Sequence, residues 1–466
     1  MKFLHDVSES AAAETPEGRD RVIDGVRAFA IVGVVFGHLL MGLVFWKDGV
    51  PFLGNLLASS VPLQLLTWAL QVMPLFFIAG GAANLLSWES ARTKSLPYHM
   101  WLWNRVRRLM KPISIYMLVL APVGALVYKI TEPAVATPFL MVTTQLLWFV
   151  GIYTLITAMT PLLVRMEARL HFGAAIIWFV ATVLIDMGRL YWGWPTVLGL
   201  LNFIGVWAIA CHCGYWYIQR DTSRSAITLL GFVLLALNIG LVYFGPYPVS
   251  LVGLPGEDFS NMAPPSLVMA VHTLINFCAL TALRPALVRL LNNTRVWRRV
   301  VEVNIAAMTI YLWHLPVIVA GTMLFHTIGW DRPAIRTAEG VILPGDGFFL
   351  ATIPYWLTCG FLIFWAVQVL WVTEHIRLPW WDKKVTKIHS HWYNEALAIP
   401  SVIAIGVSLI LLAGAGLAGF PSREHEFGGL HWTSGQAVIA LAIGILGLRA
   451  AVALGSEKPS REKQAN

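Results

Sequence analysis

One apolar segment begins with an arginine and encloses a histidine: Arg27 and His38 lie eleven residues apart in RAFAIVGVVFGH. In a helix, eleven steps of about 100° return the two side chains to nearly the same face, about 16 Å apart along the axis. An ionisable group in the middle of a lipid-spanning helix costs about 3 kcal/mol or more, which favours a functional role. The structural alternative for His38 is a histidine satisfied by a neighbouring carbonyl group or a water molecule.

A second histidine, His314, lies in the apolar sequence IYLWHLP. If its span begins near Glu302, His314 is about 18 Å along the helix, close to the depth predicted for His38. We predict that His38 is a general base, because histidine exchanges protons near neutral pH. His314 is either its catalytic partner or an orienting or packing residue. The sequence offers no obvious carboxylate to orient His38.

Four cations follow each other within seven residues: Arg105, Arg107, Arg108 and Lys111. We predict that they lie in a loop that ends where a helix begins at Pro112. Arginine forms paired hydrogen bonds with phosphate oxygens, so this loop is a candidate phosphate clamp; the alternative is that its charges only set membrane topology. A ligand with phosphates at the membrane surface and a long arm would connect the loop to His38. Acyl-coenzyme A has that shape.

The elements that must position these residues are membrane-spanning helices. Hydrophobic residues make up 57% of the 466 residues and charged residues only 12%, whereas soluble domains carry about a quarter charged residues. The net charge of +8 therefore reports membrane topology, and we expect a lipid bilayer and no nucleic acid as partner. Apolar runs long enough to cross a hydrocarbon core of about 30 Å recur along the chain. They predict an all-α polytopic bundle with spans at 27–46, 62–88, 112–130, 141–164, 172–188, 194–218, 226–244, 265–288, 302–325, 348–373, 399–420 and 434–454.

Positive charges collect in every second loop, as the loop 89–111 shows, while the loop 47–61 has a single lysine. By the positive-inside rule, this alternation predicts that both termini are cytoplasmic. By composition, the chain begins with a polar cytoplasmic segment at 1–20 and ends in a polar cytoplasmic tail at 455–466, with the predicted spans between them.

Several other polar groups have structural interpretations. The run from Cys211 to Cys213 lacks the cysteine spacing of zinc sites, so we predict packing there and expect no metal. Asp186 and Arg189 are spaced for a local ion pair. Asp24 is either the N-cap of the first helix or an acidic partner that orients the side chain of Arg27.

Four stretches, in their order and spacing, resemble the acyltransferase-3 family of integral membrane acyltransferases. They are DGVR (24–27) with ten residues between Arg27 and His38, MPLFFIAG (73–80), the arginine loop and IYLWHLP (310–316). The resemblance implies a ten-helix transmembrane acyltransferase core at 21–380, here followed by extra C-terminal spans at 381–454, in a bacterial inner membrane. It also implies a cytoplasmic acyl-CoA donor, such as acetyl-CoA, and a hydroxyl acceptor on a carbohydrate, glycolipid or cell-envelope glycan.

The same resemblance makes Arg27 and His38 the core site, with Arg105, Arg107 and Arg108 as donor contacts. The run 76–84 (FFIAGGAAN) resembles an actinobacterial branch that includes a trehalose monomycolate acetyltransferase.

A transporter or flippase for a lipid-linked glycan is the alternative class. Intramembrane histidines also form proton relays, and twelve spans suit a carrier. The lack of a detectable internal repeat and the arginine cluster beside a midplane histidine favour the enzyme. We therefore predict transfer of an acyl group, most of all acetyl, to a hydroxyl group. Direct transfer and an acyl-histidine intermediate are both open at this point.

Overall fold

The structure, a computed structural model, describes residues 4–16, 18–254, 259–376, 378–382, 391–427 and 430–454. The predicted tail at 455–466 lies outside these residues. The helices are α1 (Leu4–Ala13), α2 (Arg21–Met41), α3 (Val61–Leu70), α4 (Met73–Thr93), α5 (Tyr98–Ile130), α6 (Pro133–Thr144), α7 (Leu147–Leu170), α8 (Phe172–Tyr191), α9 (Leu201–Gln219), α10 (Arg224–Phe244), α11 (Leu267–Leu291), α12 (Thr294–Ile305), α13 (Ala307–Thr327), α14 (Phe348–Leu370), α15 (Val372–His375), α16 (Pro379–Asp382), α17 (Trp392–Ala415) and α18 (Ser434–Leu454). The strands are β1 (Gly42–Lys47), β2 (Val50–Asn55), β3 (Ala334–Arg336), β4 (Ile342–Pro344), β5 (Glu424–Phe427) and β6 (Leu430–Thr433).

Twelve of the described segments are long and apolar enough to cross a membrane, which confirms the predicted polytopic helical bundle. An even number of crossings places residues 21 and 454 on the same side, which we call the terminal side. The strands form three antiparallel two-stranded hairpins, β1–β2, β3–β4 and β5–β6. Each hairpin connects two spans at the opposite side, which we call the hairpin side.

Two predicted spans are interrupted. The span predicted at 62–88 is divided into α3 and α4 at Gln71–Val72, and the span predicted at 141–164 is divided into α6 and α7 at Gln145–Leu146. Backbone that leaves the helix at membrane depth needs partners that water would otherwise provide. The side-chain oxygen of Gln71 accepts from the amide of Met73 at 3.3 Å, and Tyr311 donates its hydroxyl to the carbonyl of Leu146.

The predicted arginine loop is wrong, because residues 98–111 form the first turns of the 33-residue helix α5 and Pro112 lies inside that helix. Arginine, lysine, leucine and methionine are good helix formers, so charge alone does not end a helix.

Three helix boundaries also differ from the predictions. The first span is α2, which starts at Arg21 and ends at Met41, where β1 takes over. The span predicted from residue 302 starts at Ala307 as α13, after the separate short helix α12. The N-cap of α2 is Asp20 rather than Asp24, and its carboxylate accepts from the amide of Val22 at 2.9 Å.

The polar N-terminal segment contains the helix α1, which packs against α12. Trp297 of α12 donates its indole N–H to the hydroxyl of Thr15 at 3.0 Å, and Arg298 pairs with Glu9 at 3.4 Å. The segment before the first span is therefore attached to the bundle at its terminal side.

The helix α4 crosses α9 at very short distance. A Cβ atom at Gly81 would lie 2.6 Å from the Cα atom of Cys211, and a Cβ at Gly214 would meet the carbonyl of Ile78. Only glycine lets two backbones approach this closely, and such crossings are typical of membrane helices. The crossing fixes α4, on which Asn84 lies, within the buried centre of the bundle.

The last two spans pack into the same bundle. The helices α17 and α18 contact each other, α17 contacts α7, and α18 contacts α5. A Cβ atom at Gly151 of α7 would lie 2.6 Å from the carbonyl oxygen of Gly406 in α17. Buried residues of α17 such as Ile405 and Leu409 share one apolar cluster with Tyr116 of α5. The C-terminal pair thus supports the helix that carries the cation cluster.

Candidate active site

Two histidines from distant helices meet inside the bundle. Nδ1 of His38, three residues before the end of α2, lies 2.9 Å from Nε2 of His314 on α13. The rings are nearly parallel, with their centroids 5.1 Å apart. His314 is buried, with 1% of its surface exposed, and its Nδ1 lies 2.9 Å from the carbonyl oxygen of Ile310.

The hydrogen-bond partners assign the protons when both rings are neutral. A carbonyl oxygen only accepts, so Nδ1 of His314 carries the proton and donates to Ile310. Nε2 of His314 is then an acceptor, and Nδ1 of His38 must donate to it. This leaves Nε2 of His38 unprotonated, and the one side-chain hydrogen bond of His38 among the described residues is that of Nδ1. With these protons, Nε2 of His38 can accept a further proton, and His314 contacts His38 at the nitrogen where the carboxylate contacts the histidine of a Ser-His-Asp triad.

His38 lines a cavity of about 660 Å³ that extends toward the hairpin side. Its walls include the ends of α2, α3 and α6, the hairpin β1–β2, and α13. Both helix interruptions open into this cavity, through Gln71 and Gln145. The polar side chains along its wall are those of Asn55, Thr67, Gln71, Gln145, Tyr311, Thr322, Arg332 and Tyr355.

Sequence reasoning missed these wall residues. Two glutamines inside apolar runs were the available signal, because an amide in the middle of a continuous lipid-exposed helix is costly. Arg332 carried no such signal, since it lies in a loop where arginine is ordinary.

Arg27 lies on the same continuous helix as His38, eleven residues toward the terminal side, which corresponds to about 16 Å. Its side chain is 42% exposed and its Nη1 atom lies 4.0 Å from the carboxylate of Asp24. The closer partner of Asp24 is Arg19, whose Nη2 donates to the carboxylate at 3.1 Å, and this ion pair raises the pKa of Arg19. Asp24 is thus largely engaged by Arg19, and the guanidinium of Arg27 is accessible.

The four cations of α5 have different surroundings. Arg105 donates to the side-chain oxygen of Asn84 on α4, whose amide nitrogen donates to Thr157 at 3.2 Å. Lys111 lies 3.5 Å from the carboxylate of Asp382 and donates to the carbonyl of Ile376 at 2.8 Å.

Arg107 and Arg108 also differ in whether a carboxylate lies nearby. Arg107 lies 4.0 Å from Asp382, whereas Arg108 is exposed and has no acidic partner in the part of the chain that the structure describes. Arg105 and Arg108 therefore keep their charge available, while Arg107 and Lys111 share one carboxylate.

Other polar groups pair within the bundle. His212 lies 2.9 Å from the carboxylate of Glu167, and Cys211 and Cys213 on either side of it are buried. Arg189 pairs with Asp186 at 3.6 Å, and Asp186 also accepts from Asn202 at 2.8 Å. These contacts connect α7 with α9 and α8 with α9.

A bundle of twelve candidate spans with a partly buried histidine pair beside a cavity defines a polytopic membrane protein with a candidate catalytic site. The chain belongs to the acyltransferase-3 family, because the family's acyltransferase domain matches residues 20–372. It is therefore a multi-pass membrane acyltransferase, which decides between the two classes that the sequence left open. Neither a curated protein nor a solved structure is similar enough to the chain to match it.

Proposed function

We propose that this acyltransferase moves an acyl group from acyl-CoA to a hydroxyl group of a cell-envelope glycan or glycolipid. Acetyl is the acyl group that we favour. The observation that carries the proposal is the free Nε2 of His38 at the wall of a cavity that extends toward the hairpin side. Accessible cations lie toward the opposite side, on α2 and α5. The two substrates would thus reach one imidazole from opposite directions.

The donor is assigned to the terminal side. Arg27, Arg105 and Arg108 offer guanidinium groups suited to the phosphates of coenzyme A. From Arg27, the pantetheine arm would follow α2 for about 16 Å to bring the thioester carbonyl beside His38. Arg107 and Lys111 contribute less to this site, because Asp382 already neutralises part of their charge.

The acceptor is assigned to the cavity. Its hydroxyl group would donate to Nε2 of His38 and attack the thioester carbonyl as that nitrogen takes the proton. The new C–O bond forms, the C–S bond breaks, and the imidazolium returns its proton to the departing coenzyme A thiolate. His314 supports the imidazolium by accepting from Nδ1 of His38 throughout the cycle.

The positive-inside rule supports a cytoplasmic terminal side, in the inner membrane of a bacterium. An impermeant thiol reagent applied to intact cells tests this orientation. A cysteine placed at Asp48, in the turn of the first hairpin, should react, whereas one at Lys94 should react only after the cells are opened. The native cysteines among the described residues are buried and should stay silent. The reverse pattern would exclude the orientation.

Transfer by the purified protein in detergent tests the function. Radiolabelled acetyl-CoA is incubated with an envelope lipid extract, and both free thiol and labelled product are measured for the wild type, His38→Ala and His431→Ala. His431 is the matched control, since it is an exposed histidine on β6. Thiol release and labelling by the wild type and by His431→Ala, but not by His38→Ala, would support the proposal. Equal turnover by all three would remove His38 from the mechanism.

Trehalose monomycolate is the first neutral acceptor to test, because of the similarity of the run 76–84 to the branch that acetylates it. Denaturing the enzyme during the reaction, with and without acceptor, separates the two chemical routes. Label bound to His38 would establish an acyl-histidine intermediate, and its absence from both samples while transfer is active would favour direct transfer.

A further inference from the structure

A buried arginine lines the cavity at a distance from the histidines. Arg332 lies between α13 and β3, and only 8% of its surface is exposed. Its guanidinium carbon lies 3.9 Å from the ring centroid of Tyr355 and 5.5 Å from that of Phe348. These rings fix the plane of the guanidinium group while the residue forms part of the cavity wall.

Arg332 has aromatic neighbours but no acidic one. Its Nη1 atom is buried and has no hydrogen-bond partner, and no ion pair joins Arg332 to a carboxylate among the described residues. The adjacent acid, Asp331, pairs instead with His326 at 2.9 Å. Burial lowers the pKa of Arg332, yet a guanidinium remains charged in proteins. The fold thus holds a cation with unused donors beside open space.

The position of Arg332 relative to the histidines follows from one hydrogen bond. The hydroxyl of Tyr355, which lies under Arg332, is 3.0 Å from the hydroxyl of Thr322 on α13. Thr322 is eight residues beyond His314, which corresponds to about 12 Å along the helix toward the hairpin side. Arg332 is therefore too far from the histidines to contact the reacting carbonyl group, and it lies on the acceptor's side of the cavity.

We propose that Arg332 binds an anionic group of the acceptor, a phosphate or a carboxylate, about 10 Å from the hydroxyl group that His38 activates. This inference rests on the proposed function, which places the acceptor in this cavity. The phosphates of the donor have their own cations at the opposite end, and an acetyl group carries no charge. An acidic sugar or a phosphorylated glycolipid fits Arg332, and a neutral trehalose ester would be the poorer acceptor.

Three probes that differ in charge test the proposal: octyl maltoside, its counterpart with a phosphate on the outer glucose, and its counterpart with an outer glucuronic acid. Transfer from radiolabelled acetyl-CoA is measured for the wild type, Arg332→Gln, Arg332→Lys and Arg336→Gln. Arg336 is the matched control, because it lies four residues further on, at the end of β3, and stacks on Phe52 at 4.4 Å.

The wild type should use at least one anionic probe with a kcat/KM about tenfold or more above that for the neutral probe. Arg332→Gln should lose this preference through KM while it keeps the rate with the neutral probe. Arg332→Lys should be intermediate and Arg336→Gln should match the wild type. The better anionic probe tells phosphate from carboxylate. Equal use of all three probes by the wild type, or an anionic preference kept in Arg332→Gln, would overturn the proposal.

Thermal unfolding separates this proposal from a structural role and from the proposed function. Arg332→Gln should unfold at the same or a higher temperature, because it removes a buried cation without a partner. An anionic probe should raise the unfolding temperature of the wild type but not that of Arg332→Gln. If the wild type transfers no acetyl group, the proposed function fails. The change in unfolding temperature with the anionic probe then still shows whether Arg332 binds an anion. Equal shifts in both proteins, or no shift in the wild type, would count against Arg332.

Discussion

The two regions that we assign to the donor and to the acceptor are built differently. On the terminal side, cations extend from continuous helices, α2 and α5, and two of the four on α5 are already paired with Asp382. On the hairpin side, the cavity is formed by interrupted helices, a β-hairpin and Arg332, which has no acidic partner among the described residues and whose Nη1 atom makes no hydrogen bond. A ligand reached from water suits the first arrangement, because exposed charges stay hydrated. The second arrangement suits an enclosed ligand, because buried polar groups without partners favour the ligand that can pair with them.

The largest effect should come from His38, which both proposed substrates must reach. We expect His38→Ala to lower kcat for acetyl transfer about 1000-fold, because it removes the general base. The KM values for donor and acceptor should change little. Transfer kinetics with both substrates varied check this, and the His431→Ala protein serves as the control. A large change in only one KM would place His38 in the binding of that substrate.

The next effect tests how His38 is oriented. His314→Ala should lower kcat about 100-fold, because Nδ1 of His38 loses its acceptor and the ring can turn. His314→Gln should recover part of the rate, since its amide oxygen can replace Nε2 as the acceptor. Steady-state kinetics of both variants measure the difference. If the two variants are equally impaired, His314 has a packing role.

A smaller effect should separate the cations of α5. Arg105→Ala should raise the KM for acetyl-CoA about tenfold, equivalent to about 1.4 kcal/mol, and leave the acceptor KM unchanged. Lys111→Ala is the matched comparison and should raise the KM for acetyl-CoA less than threefold, because Lys111 already contacts Asp382 and Ile376. Initial rates at varied acetyl-CoA concentration measure both. Equal effects would show that pairing with Asp382 does not limit phosphate binding.

The smallest effect concerns the helix interruption at Gln145–Leu146. Tyr311→Phe removes the hydroxyl that bonds the carbonyl of Leu146 and should lower the free energy of unfolding by about 1 kcal/mol. Acetyl-CoA binding should be unaffected, because the terminal side lies elsewhere. Chemical unfolding and donor titration are the two measurements. A loss of donor affinity would contradict the independence of the two regions.

Hydrophobic periodicity predicted the number of spans and the similar depth of His38 and His314, because lipid requires long apolar helices whose rise per residue is fixed. It did not predict the interruptions at Gln71 and Gln145. An apolar run has the same composition whether or not its helix is broken, and the partners that satisfy the broken backbone, such as Tyr311, come from distant segments. The prediction of a loop at 89–111 was wrong for a related reason, because a charged helix that extends beyond the lipid has the composition of a loop.

The sequence by itself determined that this is a helical membrane protein with an arginine and a histidine about 16 Å apart on one helix, because helix geometry is local. Only the tertiary structure decided which nitrogen of His38 is free, which cations are already paired, and that Arg332 lies buried beside the cavity. Proton positions, ion pairs and burial depend on neighbours that the chain brings together across hundreds of residues, as His38 and His314 illustrate. No local pattern can specify such contacts.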